Sequence, residues 1–242
     1  MAVIRRALDA LKCEIRTIRN VVYHRLHVSP KLEADIVDQF HRLYYDRQFT
    51  DQSWGNTTWF GVHALKCPLD MWVYQEILFE RRPDLIIECG TAAGGSALYL
   101  ANLCDLLNRG RVVSIDIEAN VHRPLHPRIT YLTGSSTSPD IVDKIAACAR
   151  GLDHVMVILD SDHRRGHVLE ELKLYNRFVT PGDYLIAEDT NINGHPAHAD
   201  FGPGPMEAVR DFLKENVSFE IDRRREKFML SFNPGGYLRR IT

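Results

Sequence analysis

Two short acidic clusters stand at the ends of apolar runs in this sequence. Asp160-Ser161-Asp162-His163 follows Val155-Met156-Val157-Ile158-Leu159, and Glu188-Asp189-Thr190-Asn191 follows Tyr184-Leu185-Ile186-Ala187. Continuous apolar runs of this length predict strands buried on both faces of a parallel sheet. Neighbouring strands lie about 4.8 Å apart, so the two clusters are expected to face each other across a small gap. Converging carboxylates repel one another unless a cation neutralises them, and hard oxygen donors suit Mg2+ or a similar divalent ion. Asp160, Glu188 and Asp189 are the predicted ligands of that ion.

A cation held there would lower the pKa of a substrate hydroxyl, as it does for bound water. His163 follows Asp160 by three residues and is the candidate general base for the released proton. Plainer readings exist for each residue. An Asp at a strand end can cap the following turn, and a strand-end His can serve only to orient a ligand. His167, His195 and His198 read as surface or loop-packing residues.

A second chemical feature lies upstream, in Glu88-Cys89-Gly90-Thr91-Ala92-Ala93-Gly94-Gly95-Ser96. Glycines at a strand-to-helix turn let a ligand approach the backbone, and the helix start supplies free N–H donors. Gly90, Thr91, Gly94 and Ser96 are therefore candidate cofactor contacts. The spacing is neither G-x-G-x-x-G nor a P-loop, and the preceding Glu88 suits a cationic ligand better than a pyrophosphate. Asp116, at the end of the next strand, is placed to accept hydrogen bonds from ribose hydroxyls. Together these predict an adenosine ligand bearing positive charge, such as S-adenosylmethionine. A dinucleotide, or a purely structural glycine turn, is the alternative.

The elements that must hold these residues can be read around them. Strands are predicted at 85–87, 112–115, 129–132, 155–159 and 184–187, with helices at 96–107, 139–149 and 168–178 between them. Repeated β-α units of this kind give an α/β, Rossmann-like, doubly wound sheet. A loop at 190–205 rich in Gly, Pro, Asn and His follows, then a helix at 206–214. Two last strands, near Phe219 and at 228–231, are separated by a short link and are expected to pair as an antiparallel hairpin.

Residues 1–83 read as an N-terminal helical extension packed on the core, and 84–242 as the ligand-binding domain. Ile4, Leu8, Leu11, Ile15, Ile18, Val21 and Val22 recur at three- and four-residue spacing, with Arg5, Arg6, Lys12, Arg16 and Arg19 between them. Such a stripe packs against the domain or a second subunit; the alternative is peripheral contact with an anionic membrane surface.

The chain's 242 residues are 45% hydrophobic and 26% charged, which suits one globular domain with an extension. A net charge of -2 gives no reason to expect nucleic acid as a partner. Cys13, Cys67, Cys89, Cys104 and Cys148 are scattered and form no C-x-x-C pair, a pattern expected of a reducing cytoplasm.

These motifs carry a resemblance. The stretch from Leu159 to His163, the run Gly182-Asp183-Tyr184-Leu185-Ile186-Ala187-Glu188-Asp189-Thr190-Asn191-Ile192-Asn193-Gly194-His195-Pro196, and Phe201-Gly202-Pro203-Gly204-Pro205 are similar to the rhamnosyl O-methyltransferases of the cephalosporin hydroxylase-type family. Asp70-Met71-Trp72-Val73-Tyr74-Gln75-Glu76-Ile77-Leu78 and Gly94-Gly95-Ser96 extend the likeness over residues 40–240. The resemblance implies a class I methyltransferase fold that binds S-adenosyl-L-methionine and Mg2+. It implies Asp160, Glu188 and Asp189 as metal ligands and His163 as base, with Glu88, Gly90 and Asp116 holding the cofactor. Ser135 or Ser136 is then expected near the adenine. The first thirty residues match least and inherit nothing.

The function expected on these grounds is O-methylation of a sugar hydroxyl in a glycolipid, oligosaccharide or glycosylated natural product. The polar 190–205 loop, able to hydrogen-bond several hydroxyls, favours a sugar over a catechol or other small hydroxylated metabolite. A cofactor-binding partner protein without turnover is the remaining alternative, against which the complete acid set and His163 argue. A homodimer or larger assembly is also expected.

Overall fold

All five apolar runs form strands, and their burial explains why they read as continuous rather than alternating. In the computed structural model, which describes residues 2–47 and 53–242 apart from the side chains of residues 2–4, 7–9, 24 and 25, they are β3 (Leu85–Cys89), β4 (Arg111–Asp116), β5 (Ile129–Thr133), β6 (Val155–Leu159) and β7 (Tyr184–Ala187). Every residue of β3, β6 and β7 is buried. Leu85, Ile87, Val155 and Val157 face one apolar cluster, which also holds Ile141 and Ile145 of α5 (Pro139–Ala149), Leu172 of α6 (Arg165–Tyr175) and Phe212 of α7 (Pro205–Glu215). Ile86, Met156, Ile158 and Ile186 face a second cluster with Val73 and Ile77 of α3 (Pro68–Arg81) and Leu100 of α4 (Gly95–Leu106). Helices therefore cover both faces, as a parallel sheet requires.

The seven strands run in the order β5-β4-β3-β6-β7-β9-β8, where β8 is Phe219–Ile221 and β9 is Tyr237–Arg240. The first five are mutually parallel, while β9 is antiparallel to both β7 and β8. The chain builds outward from β3 to β5 and then returns to β6, so the direction of winding switches between β3 and β6. Ligands in open α/β sheets bind beyond the strand carboxyl ends at such a switch.

The expected last strand at 228–231 is corrected. The strand that pairs with Phe219–Ile221 is Tyr237–Arg240, so the link is long rather than short and carries a helical turn at Arg223–Glu226. Phe228-Met229-Leu230-Ser231 looks like a strand because it is apolar. Instead Leu230 packs with Phe232 in a separate cluster containing Tyr45, Trp54 and Ile192. Met229 has a φ of 62°, outside the extended region.

The segment ahead of the sheet is helical in α2 (Pro30–Asp46) and α3, and it also contains a small hairpin, β1 (Thr58–Trp59) with β2 (Val62–His63). By compactness the chain divides into residues 1–40 and residues 41–242. In the first unit, α1 (Ala2–His27) leaves Leu11, Ile15, Ile18, Val21 and Val22 exposed; the Ile4 and Leu8 side chains of that stripe lie outside the described residues. Among the described residues, no helix is long and apolar enough to cross a membrane.

Candidate functional site

The ends of β3 and β6 touch at the switch point, and the contact requires glycine. Gly90 has a φ of +97°, and a Cβ there would lie 1.8 Å from the carbonyl oxygen of Asp160. The close approach seats the glycine loop against the acidic cluster. Asp116, from the end of β4, braces the same loop: its Oδ2 accepts from the Thr91 amide at 3.0 Å and the Ala92 amide at 2.8 Å. Arg123 lies 3.0 Å from that oxygen and donates to the Ala92 carbonyl. Burial raises the Asp116 pKa, but the Glu118 amide, these two amides and Arg123 outweigh it and hold the carboxyl below its ordinary value.

A cavity of about 640 Å³ opens above this loop, a volume suited to a small-molecule ligand. Gly90, Thr91, Ser96, Asp116, Ser135, Ser136 and Asp160 line it, as do His163 and Asp189. Glu88 and Gly94 do not. Gly94 is the N-cap of α4. Glu88 is fully buried beneath the loop, where Ser114 donates to its Oε2 at 2.6 Å. Its Oε1 has no hydrogen-bond partner, and burial raises its pKa.

On the cavity floor, Asp160, His163 and Asp189 bring one ligand atom each within 4.8 Å of the others. His163 Nε2 stands 3.4 Å from Asp189 Oδ2 and 3.9 Å from Asp160 Oδ1. Asp189 adopts a left-handed φ of 52°, and its amide donates to Asn233 Oδ1. That conformation is costly for a residue with a Cβ and is held by surrounding structure. Burial raises the pKa of both aspartates, opposed at Asp160 by Lys66 and then His163 and at Asp189 by His163. Two carboxylate oxygens and an imidazole on a cavity floor fit a divalent cation with positions left for water or substrate.

Glu188 turns the other way. Its Oε1 accepts from the Tyr74 hydroxyl at 2.6 Å and lies 2.7 Å from Lys66 Nζ. Lys66 also reaches Asp160 Oδ2, at 2.5 Å. Burial opposes the charge on this lysine, but Asp160 and Glu188 outweigh it and raise its pKa. Glu188 is thus next to the Asp160–Asp189 group and engaged by a protein cation in this side-chain arrangement.

The family model described as Rhamnosyl O-methyltransferase/CmcI matches residues 51–241, which takes in the whole sheet and every residue of this cavity. The chain belongs to this family. It is 39% identical over 213 residues to the rhamnosyl O-methyltransferase of Mycobacterium tuberculosis, covering 84% of each chain. To that of Mycobacterium leprae it is 40% identical over 212 residues, covering 84% of this chain and 90% of the other. Among solved structures, CmcI with Mg and SAM superposes with a TM-score of 0.61 at 22% identity, over 78% of each chain. That likeness concerns the fold, a class I methyltransferase sheet.

Several residues of this cavity and its surroundings were not legible in the sequence. Lys66 arrives from the segment after the β1–β2 hairpin, where Thr57 accepts from its amide. Nothing in its local sequence separates it from a surface lysine. His167, expected to be a surface or loop-packing residue, lines the cavity beside Ser136 and Ser161, both of which donate to the buried Glu171. Its position four residues before Glu171 on one helix face was the available signal. The 190–205 loop also departs from expectation. Asn193 and His195 bond to Glu207, Asn191 bonds to His41, and none of the three lines the cavity.

Proposed function

We propose that this methyltransferase transfers a methyl group from S-adenosylmethionine to a sugar hydroxyl, with a divalent cation such as Mg2+ at Asp160, Glu188 and Asp189 and with His163 as general base. The observation that carries the reading is the position of His163 Nε2 between Asp160 and Asp189, on the floor of a cavity walled by the glycine loop. Rhamnosyl O-methyltransferases at 39–40% identity support a sugar as acceptor.

S-adenosylmethionine supplies a sulfonium methyl, and the divalent ion supplies positive charge beside the oxygen that loses its proton. The chain's own residues do the rest. Gly90 and the amides held by Asp116 let the cofactor lie against the backbone, with Ser135 and Ser136 also lining the cavity. Asp160 and Asp189 would hold the cation, while Glu188 would either ligate it or keep Lys66 in place beside Asp160. His163 Nε2 would accept the hydroxyl proton as the oxygen–methyl bond forms and the sulfur–methyl bond breaks, leaving the electron pair on sulfur. Most of the acceleration would then come from alignment and electrostatic stabilisation.

The test is transfer of labelled methyl from S-adenosylmethionine to a panel of mono- and oligosaccharides, with the product position read by NMR. Transfer to a sugar that stops with EDTA and returns with Mg2+ is expected. Undiminished transfer in EDTA would overturn the metal role, and transfer to catechols but to no sugar would overturn the acceptor class.

A further inference from the structure

The helix α1 lies upstream of the family match, which begins at residue 51, and it carries a pattern that the methyltransferase site does not use. Leu11, Ile15, Ile18 and Val22 alternate at four- and three-residue steps, the d-a-d-a positions of a seven-residue repeat. The sequence extends the same repeat upstream through Ile4 and Leu8. Leu11, Ile15, Ile18 and Val22 are 52%, 57%, 63% and 48% exposed, so the chain itself leaves the seam open. A helix with such a seam in water is stabilised by a partner that buries it.

The charges beside the seam select the partner. Arg5, Lys12 and Arg19 occupy three successive e positions, and Glu14 occupies a g position. In an antiparallel pair, e faces e, which sets Arg5 against the partner's Arg19 and Lys12 against the partner's Lys12. In a parallel pair, g faces the e position of the next heptad, which sets Glu14 against the partner's Arg19 twice by symmetry. Only the parallel arrangement turns like-charge contacts into opposite ones.

We infer that α1 pairs with α1 of a second copy as a parallel, in-register coiled coil, which ties two methyltransferase domains together at their N-terminal ends. Light scattering on the full chain should give at least a dimer, and Ile15→Asp/Ile18→Asp should halve the mass while circular dichroism keeps the main melting transition. In a Cys13→Ser background, Val22→Cys should form a disulfide-linked pair on mild oxidation, because only parallel register brings the two positions 22 together. Glu14→Lys should weaken association, and adding Arg19→Glu should restore it. A monomeric wild type overturns the inference, as does unchanged mass in the double Asp variant or failure of the charge swap to restore association. Binding of monomeric wild type to phosphatidylserine vesicles, lost in the double Asp variant, would replace it with a membrane role.

Discussion

Lys66 places its ammonium 2.5 Å from Asp160 Oδ2, an ion pair closed across 94 residues of sequence. The lysine is 4% exposed, and its second contact is Glu188 at 2.7 Å. One internal cation thus neutralises part of a group of acids that would otherwise repel one another behind the cavity floor. It also occupies one oxygen of Asp160 and leaves the other, Oδ1, on the side of His163.

Lys66→Met removes that cation and leaves the buried Glu188 and the part-exposed Asp160 without it. Breaking one side of a buried ion pair costs about 3–5 kcal/mol, so the variant should melt well below the wild type. A divalent ion can supply part of the missing charge, and Mg2+ should therefore raise the melting temperature of Lys66→Met more than that of the wild type. Equal melting curves for the two proteins would remove Lys66 from this role.

His163→Ala separates a base from a ligand. Loss of a general base lowers turnover by about 10²–10⁴-fold. The S-adenosylmethionine dissociation constant, measured by calorimetry, should stay close to the wild-type value, and so should the Mg2+ concentration giving half-maximal residual activity. A large rise in that Mg2+ requirement would make His163 a metal ligand instead.

Gly90→Ala tests the contact between the two halves of the site. The added methyl would overlap the Asp160 carbonyl, and φ at +97° is unfavourable for any residue with a Cβ. Neither strand end can retreat, because Gly90 and Asp160 continue fully buried strands that pair along their length. The variant should lose S-adenosylmethionine binding and melt at a lower temperature. Wild-type affinity would mean that the loop can shift without cost.

The contrast between these residues explains what the sequence made legible. Asp160, Glu188 and Asp189 could be picked out as candidates because Asp160 directly follows one buried strand and Glu188-Asp189 another, and buried parallel strands announce themselves as unbroken apolar runs. The same rule failed at 228–231, where Leu230 fills a local cluster while Met229 stays exposed, and at Tyr237–Arg240, where half of a short strand is arginine. Lys66 and His167 were missed for another reason. Their roles depend on which loop or helix face meets the sheet edge, and that is decided by tertiary packing rather than by spacing along the chain.

His41 offers a prediction in pH. It is 4% exposed, and its Nε2 lies 2.9 Å from the Asn191 side-chain nitrogen, a contact that a neutral ring can accept. Burial lowers its pKa from 6.5 to about 4, with Asp46 acting weakly in the opposite direction. Between those two values the unfolded chain binds a proton that the folded chain does not, so stability rises with pH across that window. The contribution is complete above 6.5 and is lost as pH falls toward about 4, where a shift of this size amounts to roughly 3 kcal/mol. Asn191 lies two residues beyond Asp189, so protonation should loosen the loop that follows the acidic cluster as well. His41→Gln keeps an acceptor for Asn191 but does not titrate. Its melting temperature should fall less than that of the wild type on acidification through the window, and parallel curves would show that His41 does not carry the effect.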